Sequence, residues 1–125
     1  MNKARGFTLV ELMVTLIVVA ILMAIAIPTY RQSVIKGNRR AAQAFMMETI
    51  SRQEQYFVAN RTYASLAELP CTPPEEVESN YNCTYTLDDG PPPSVTINLA
   101  ADGAQLSDGD LSVSTIGTRT PAEKW

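Results

Sequence analysis

A long apolar run near the N-terminus constrains this sequence more than any other feature. It covers residues 7–27 and contains a single charged residue, Glu11. Its hydroxyl side chains are those of Thr8 and Thr15. As a helix, these 21 residues would span roughly 31 Å, about the thickness of the hydrocarbon core of a bilayer. The run therefore predicts a membrane-spanning helix.

A secretory signal peptide is the main alternative interpretation of this segment. The basic region before the run is short, with Lys3 and Arg5 as its cations. The apolar run exceeds the ~7–15 residues of a signal's apolar core, and no small-residue cleavage site follows it. Because cations flanking a membrane helix favour the cytoplasm, the N-terminus is expected on the cytoplasmic side.

Glu11 is the anomaly within the apolar run. Burying a carboxylate in a membrane helix costs about 2.5 kcal/mol or more on insertion scales. Two explanations remain open from the residues alone. The side chain either extends to the membrane surface or meets a cation inside a protein assembly.

The heptapeptide Gly6-Phe7-Thr8-Leu9-Val10-Glu11-Leu12 follows a short basic leader and opens the apolar run. In this arrangement it resembles the class III signal of type IV pilins and their relatives. The resemblance implies that a prepilin peptidase cuts between Gly6 and Phe7 and methylates the new amine of Phe7. It also implies that Glu11 faces the N-terminal amine of a neighbouring subunit, a pairing that would fix axial register in a filament.

The same resemblance implies an organisation and a location. Residues 1–6 would be a cleaved leader, residues 7–30 the transmembrane and filament-core half of a helix, and residues 31–125 a globular domain. The chain would cross the bacterial inner membrane once, with its C-terminus outside the cytoplasm, and then join a pilus filament at the cell surface. Its partners would be the prepilin peptidase, the inner membrane before assembly, and other pilins contacted through the N-terminal helix.

The helical pattern continues beyond the apolar run. Pro28 cannot donate a hydrogen bond to the carbonyl of Ala24, so a kink is expected there, as in many pilins. From Tyr30 to Asn60, apolar residues recur at spacings of three, four and seven. One helix over residues 7–60 would be about 80 Å long, with its first half protruding from the domain. Cations cluster after the apolar run, at Arg31, Lys36, Arg39 and Arg40.

The rest of the chain predicts a small sheet. Three segments have strand character, residues 81–87, 94–100 and 111–116, with turn residues between them. The expected fold class is therefore α+β, a long N-terminal helix packed on a small antiparallel sheet, as in type IV pilins. The stretch from Arg52 to Tyr63 resembles short minor pilins grouped with the competence pilin. We expect Phe57 and Tyr63 within it to pack in the core.

Two cysteines, Cys71 and Cys83, follow the helix. Outside the cytoplasm they would lie in an oxidising compartment, so we expect a disulfide that closes a loop of about 13 residues. Some relatives have a second cysteine pair next to a terminal tryptophan. Here Lys124 precedes Trp125, which leaves the anchoring of the C-terminal segment open.

Charge and composition bear on the class of function. Net charge is −3, but residues 62–125 carry two basic and ten acidic side chains, a net charge of −8. This acidic half argues against nucleic acid as the main partner. The chain has no histidine, and a calcium loop around Asp102, Asp108 and Asp110 lacks the closing glutamate, so turn chemistry is predicted there. We expect no metal and no cofactor.

The function predicted first is that of a minor pilin of a type IV pilus, contributing to pilus assembly, twitching motility and adhesion. A pseudopilin of a type II secretion system is an alternative, because it shares the leader, Glu11 and the long helix. A pilin-type DNA-uptake receptor is a further alternative, disfavoured by the acidic half. No nucleophile–base pair and no phosphate-binding glycine loop can be found in the sequence, so no enzymatic activity and no catalytic residue are predicted.

Overall fold

The computed structural model describes residues 6–125, and the leader cations Lys3 and Arg5 lie outside that range. Two compact units divide the chain, the first ending at Val34 and the second comprising residues 35–125. Helix α1, Leu9–Asn60, contributes to both units.

The first unit consists of the N-terminal part of α1 and the residues just before it. Every residue from Gly6 to Val34 is exposed. An 18-residue window of the helix has a mean hydropathy of 2.8 with none of it buried, and within residues 6–125 no other helix is long and apolar enough to cross a membrane. The unit therefore leaves its apolar side chains uncovered.

Helix α1 runs through Pro28 without interruption. Since proline has no N–H, the carbonyl of Ala24 lacks its usual donor. Just beyond this point, the hydroxyl of Thr29 donates to the carbonyl of Ile25 at 3.0 Å, and Ser33 donates to the carbonyl of Thr29 at 3.0 Å. A kink at Pro28 remains a prediction.

The second unit is built on the C-terminal part of α1. Its buried residues recur at helical spacing and form one face: Ala42, Phe45, Met46, Thr49, Ile50 and Gln53. This face packs on the apolar side of a sheet, where Tyr81, Ile97 and Leu99 are almost fully buried. The polar members of the helix face, Thr49 and Gln53, are hydrogen-bonded, as burial requires.

The sheet has four antiparallel strands in sequential order: β1 Tyr81–Asp88, β2 Ser94–Ala101, β3 Leu111–Ser114 and β4 Arg119–Thr120. In the β1–β2 hairpin, Tyr81 lies opposite Ala101 and Asp88 opposite Ser94. Side chains alternate between the helix and solvent, so Ile97 and Leu99 are buried while Asn98 between them is partly exposed. The fold class predicted from the sequence, a long helix on a small antiparallel sheet, is confirmed.

The sheet differs from the prediction at its far edge. We predicted three strands, and β4 was missed because it has only two residues. Strand β3 ends at Ser114 rather than Ile116 because a tight turn follows, in which Gly117 N–H donates to the Ser114 carbonyl at 2.9 Å. Gly117 has a φ of 90° there, which favours glycine.

The segment between α1 and β1 is anchored by a disulfide and a buried valine. Cys71 and Cys83 form the predicted disulfide, with their Cα atoms 6.2 Å apart. Between them, the one-turn helix α2, Glu75–Glu78, buries Val77 completely in the core. The disulfide therefore joins this segment to β1 on the helix side of the sheet.

Two tyrosine hydroxyls lie inside the core. The hydroxyls of Tyr81 and Tyr85 make no hydrogen bond of good geometry to any described residue, although Gln105 lies beside Tyr81 and Gln53 beside Tyr85. Burial raises the pKa of both phenols above the usual 10.0. The phenolate is therefore less favourable in the folded than in the unfolded chain, and stability should fall as pH rises above 10.

We expect Tyr81→Phe to leave the free energy of unfolding at neutral pH unchanged or raised by about 1 kcal/mol, because it removes a buried unpaired hydroxyl. Above pH 10 the variant should lose less stability than the wild type. Urea denaturation of the full chain in detergent at both pH values measures this. Tyr30→Phe, at an exposed tyrosine, is the matched control, and a loss of several kcal/mol in Tyr81→Phe at neutral pH would show that the hydroxyl is bonded.

Replacing both cysteines, Cys71→Ala with Cys83→Ala, should lower the free energy of unfolding by roughly 3 kcal/mol, because the unfolded chain loses a cross-link. Urea denaturation of the full chain in detergent measures the difference. The wild type with its disulfide reduced should match the double variant. Equal stability of the oxidised wild type and the double variant would contradict this expectation.

Candidate functional site

The start of α1 brings three predicted site residues together. Gly6 and Phe7 directly precede Thr8, the residue before the helix. The Thr8 hydroxyl accepts a hydrogen bond from the Glu11 backbone N–H at 3.2 Å, and Oε2 of Glu11 lies 3.5 Å from both the nitrogen and the hydroxyl of Thr8. This reciprocal arrangement is a capping box, which satisfies backbone donors of the first helical turn. The carboxylate also lies at the end of the helix dipole that favours negative charge.

The capping box gives Glu11 a local role that our sequence prediction missed. The signal was present, since a threonine followed three residues later by a glutamate just before an apolar run is a recognised helix start. The contacts to Oε2 are long, and Glu11 is exposed. An ionised carboxylate accepts up to about four hydrogen bonds, so capping leaves it able to bind a further cation.

The cations that follow the apolar run do not share one environment. Arg31, Lys36 and Arg40 are exposed, whereas Arg39 is partly buried. Its Nη1 lies 2.6 Å from Oδ1 of Asp108 in the 3₁₀ region after β2. The predicted cluster therefore splits into exposed cations and one that fastens the helix to the rest of the second unit.

A buried glutamine fixes the chain where it leaves α1. Gln53 is fully buried, its amide Nε2 donates to the Ala64 carbonyl at 3.0 Å, and its Oε1 accepts from the Ala64 N–H at 2.9 Å. The side chain thus pairs with one backbone unit as a neighbouring strand would. A glutamine in a helix is usually expected to face solvent. The sequence pattern therefore did not predict the hydrogen bonds between Gln53 and the backbone of Ala64.

The helix exit is packed locally rather than in the core. Phe57 and Tyr63 stack on each other with ring centroids 4.7 Å apart, and both are only partly buried. The prediction that they belong to the core was wrong, because the turn at Arg61 directs Tyr63 back onto the last turn of α1. Arg61 has a φ of 62°, and its N–H caps the carbonyl of Phe57 at 2.8 Å. Nearby, hydrogen bonds from Ser65 lower the pKa of Glu68.

Asp108 is the centre of a group that we call the Asp108 junction, comprising Asp108, Arg39, Lys124 and Gln105. Oδ1 of Asp108 lies 2.6 Å from Arg39 and 3.7 Å from Nζ of Lys124. Gln105 is fully buried, with its amide 3.4 Å from Oδ2 of Asp108 and 3.0 Å from the carbonyl of Ile35. The junction therefore ties the helix to the residues after β2 and to the C-terminal segment.

The C-terminal segment is anchored by polar contacts and by packing, which answers the question left open by the missing second cysteine pair. Gln43 donates to the Lys124 carbonyl at 2.5 Å. The Trp125 ring packs against the core cluster, its Nε1 lies 3.5 Å from the Thr120 carbonyl, and the Arg119 guanidinium lies 5.3 Å from the ring centroid.

The acidic residues near Asp108 have structural contacts. The Asp102 carboxylate accepts from the Gly103 N–H at 2.7 Å, and the Asp110 carboxylate accepts from the Ala101 N–H at 2.8 Å. Turn chemistry therefore accounts for Asp102, as predicted. Asp110 instead bonds across the β2–β3 connection to Ala101, and Asp108 forms the junction. Residues 6–125 contain no group of three or more histidine, cysteine or acidic side chains placed to hold a metal ion.

Two family profiles match the chain. The profile described as "Type IV minor pilin ComP, DNA uptake sequence receptor" matches residues 28–112, and that of the prokaryotic N-terminal methylation motif matches residues 1–27.

Curated relatives are pilins or pseudopilins. The chain is 34% identical to the type IV wide pilus major component PilA4 of Thermus thermophilus over 52% of this chain and 50% of the relative. It is 44% identical to the prepilin peptidase-dependent protein D of Escherichia coli over 55% of this chain and 40% of the relative. The type II secretion system core protein G of Escherichia coli is 28% identical over 65% of this chain and 59% of the relative.

The chain spans about half the length of the curated relatives it matches. No solved structure matches significantly. Because the minor pilin profile alone covers more than half of the 125 residues, the chain belongs to the family of the type IV minor pilin ComP, a family of structural pilin subunits rather than enzymes.

Proposed function

We propose that this protein is a minor pilin that is cut by a prepilin peptidase between Gly6 and Phe7, methylated at Phe7 and assembled with other pilins into a type IV pilus. The match of the methylation motif to residues 1–27 is the observation that carries this proposal. In this proposal residues 1–6 are the leader, residues 7–30 the membrane and filament-core segment, and residues 31–125 the globular domain. Through the fibre, the subunit contributes to twitching motility and adhesion.

The exposure of the first unit supports assembly through the helix. Phe7 is 84% exposed and the apolar residues after it are uncovered. At about 25 cal/mol per Å² of apolar surface, such a helix is strongly driven out of water. Lipid covers it in the inner membrane, with the globular unit outside the cytoplasm, and sister helices replace lipid in the filament. The Cys71–Cys83 disulfide fits such an oxidising compartment.

Glu11 is the proposed register-setting residue. Its carboxylate is the one acidic group of described residues 6–34, and its neighbours along the helix are exposed apolar side chains. In a helix bundle it pairs with the methylated amine of Phe7 on a neighbouring subunit, because either charge left unpaired in apolar surroundings costs several kcal/mol. Pro28 provides a weak point where the helix bends or loosens during assembly.

A second function, DNA uptake, is favoured by one observation. The profile that matches residues 28–112 is described as a DNA uptake sequence receptor. This moves DNA binding ahead of the secretion pseudopilin, because the chain is only 28% identical to the type II secretion system core proteins G. Because residues 62–125 have a net charge of −8, binding would depend on a local group of cations and would weaken with salt in proportion to the number of phosphates they contact.

Glu11→Gln should reduce the amount of this protein in sheared filaments by roughly 100-fold, because an uncompensated buried amine costs about 3 kcal/mol or more. Glutamine still completes a capping box, so the helix start is preserved. Cleavage after Gly6 should continue. Mass spectrometry of the filament and envelope fractions measures both properties.

Thr8→Ala is the matched control for the charge at Glu11. It removes the cap at a cost of about 1 kcal/mol but keeps the carboxylate, so incorporation into filaments should stay close to wild type. If Thr8→Ala blocks assembly as strongly as Glu11→Gln, assembly also requires the intact cap at the helix start, because Glu11→Gln keeps that cap. If Glu11→Gln enters filaments normally, the pairing with the neighbouring amine is wrong.

The DNA-binding function is tested with the full chain in nanodiscs of neutral lipid, titrated into labelled duplex DNA. We expect binding at low salt that is lost over roughly 50–200 mM salt. The absence of binding at low salt would rule out this second function and would leave the filament function untouched.

A further inference from the structure

The face of the sheet that points away from α1 is lined with small polar side chains. Since Ile97 and Leu99 of β2 face the helix, the residues that alternate with them lie on the opposite side. Their partners in the neighbouring strands share that side, because residues directly opposite each other in a sheet point the same way. An open groove of about 260 Å³ on this face is lined by Thr86, Asp88, Ser94, Thr96, Ser112, Ser114, Ile116 and Thr118. We call these eight residues the hydroxyl groove.

Six of the eight residues carry a hydroxyl group, and their arrangement follows the strand register. Thr86 of β1 lies opposite Thr96 of β2, which in turn lies opposite Ser114 of β3. Neighbouring side chains are therefore about 5 Å apart across the strands and about 7 Å apart along them. Because a hydroxyl donates one hydrogen bond and accepts two, the groove presents an array of groups that can do both.

Two serines of the groove are almost completely buried. Ser94 is 7% exposed and Ser114 is 6% exposed. Among the hydrogen bonds of residues 6–125, none involves the Ser94 hydroxyl, and Oγ of Ser114 makes one long contact of 3.5 Å with the N–H of Ile116. Buried hydroxyls normally have a hydrogen-bond partner. These two hydroxyls are therefore groups to which a molecule in the groove can bond, and they distinguish it from an ordinary solvated sheet face.

The charge of the groove is negative. Asp88 is its one charged residue, and none of the eight lining residues is basic. The Gly90 N–H donates to Oδ1 of Asp88 at 3.0 Å, which orients the carboxylate and leaves Oδ2 able to accept from a ligand. Arg119, the cation of β4, lies instead over the Trp125 ring, on the side of the sheet that packs against the core. An anionic ligand would therefore meet a carboxylate without a compensating cation.

These features fit a neutral sugar better than a protein partner. Protein interfaces are anchored by large aromatic, apolar or arginine side chains. The groove contains one large apolar residue, Ile116, which is 62% exposed. A sugar ring carries hydroxyls that both donate and accept, together with C–H groups that are apolar. The hydroxyls and the Asp88 carboxylate suit the polar groups of such a ring, and Ile116 suits its C–H groups.

We propose that the hydroxyl groove binds one sugar unit of a neutral saccharide. The hydroxyls of Ser94, Thr96 and Ser114 bond to the hydroxyls of the sugar, and Asp88 accepts a further hydrogen bond from it. The groove is smaller than the usual site of a drug-sized ligand, so we expect weak binding. The proposal deepens the adhesion role given above and rests on it, because the filament would carry the groove to saccharides on another surface.

Saturation-transfer NMR of the full chain tests the proposal, because this method detects weak binding. The chain is held in nanodiscs of neutral phospholipid, free of sugar-based detergents and glycolipids that would compete. The probes are the methyl glycosides of galactose, glucose and mannose, each compared with the glycoside of the corresponding uronic acid. We expect transfer to at least one neutral glycoside. Its uronate should bind roughly tenfold more weakly, because a carboxylate replaces a hydroxymethyl group close to Asp88.

Ser94→Ala and Thr96→Val each remove one hydroxyl from the groove with little change in side-chain size. Loss of one ordinary hydrogen bond should weaken binding of the neutral glycoside by roughly fivefold in each variant. Thr84→Val is the matched control, because Thr84 is an exposed threonine of the same sheet face that does not line the groove. This control should bind the glycoside as the wild type does.

Asp88→Asn supplies a readout that a general loss of structure would not produce. Asparagine keeps an oxygen that can accept from the Gly90 N–H, but it removes the negative charge. We expect this variant to bind the neutral glycoside more weakly than the wild type does. The difference in affinity between the neutral glycoside and its uronate should shrink to roughly twofold, because the repulsion is gone.

The outcomes separate this inference from the function on which it rests. If none of the three neutral glycosides receives saturation from the wild type, the proposal is wrong. Equal binding by the wild type, Ser94→Ala and Thr96→Val would place the sugar elsewhere and also overturn it. Weaker binding in both groove variants, with unchanged binding in Thr84→Val, supports the groove. Since binding is measured on the purified chain, a negative result does not bear on assembly into a pilus.

Discussion

The apolar surface of the first unit must be covered by something outside the chain. Residues 6–34 are exposed throughout, and an 18-residue window within the helix has a mean hydropathy of 2.8. Hydrophobic burial is the main favourable term in association, so this surface drives the helix into lipid or into a bundle of other helices. Once lipid or other helices cover this surface, the carboxylate of Glu11 lies in apolar surroundings. It then needs a cation as partner to offset the cost of leaving water. In the function we propose, membrane insertion, register and assembly all depend on this one constraint.

The second unit satisfies its own burial requirement. The buried face of α1 covers one side of the sheet. Two glutamines are also fully buried, and both form hydrogen bonds to the backbone. Gln53 pairs with the backbone of Ala64, and Gln105 bonds the carbonyl of Ile35. With the Cys71–Cys83 disulfide and the Asp108 junction, these contacts fix the loops around a small sheet. The globular part is therefore held by polar and covalent contacts as well as by its apolar core.

Local patterns in the sequence predicted much of this fold, because helices, hairpins and apolar faces are encoded by nearby residues. The helix, the first two strands and the disulfide follow from periodicity, turn residues and cysteine count. Strand β4 was missed because two residues carry too little pattern. The pairing of Asp108 with Arg39 spans 69 residues, and the role of Gln53 depends on where the chain returns, so neither is visible locally. The capping box of Thr8 and Glu11 was readable and was overlooked.

The central claim is that the chain is a processed, methylated subunit of a pilus, and the N-terminal peptide of this protein in purified filaments tests it most directly. Filaments sheared from the cell surface would be digested and analysed by mass spectrometry. We expect a peptide that begins at Phe7 and carries one methyl group on its amine. A filament-associated chain that still begins at Met1, or a processed chain confined to the cell envelope, would contradict the claim.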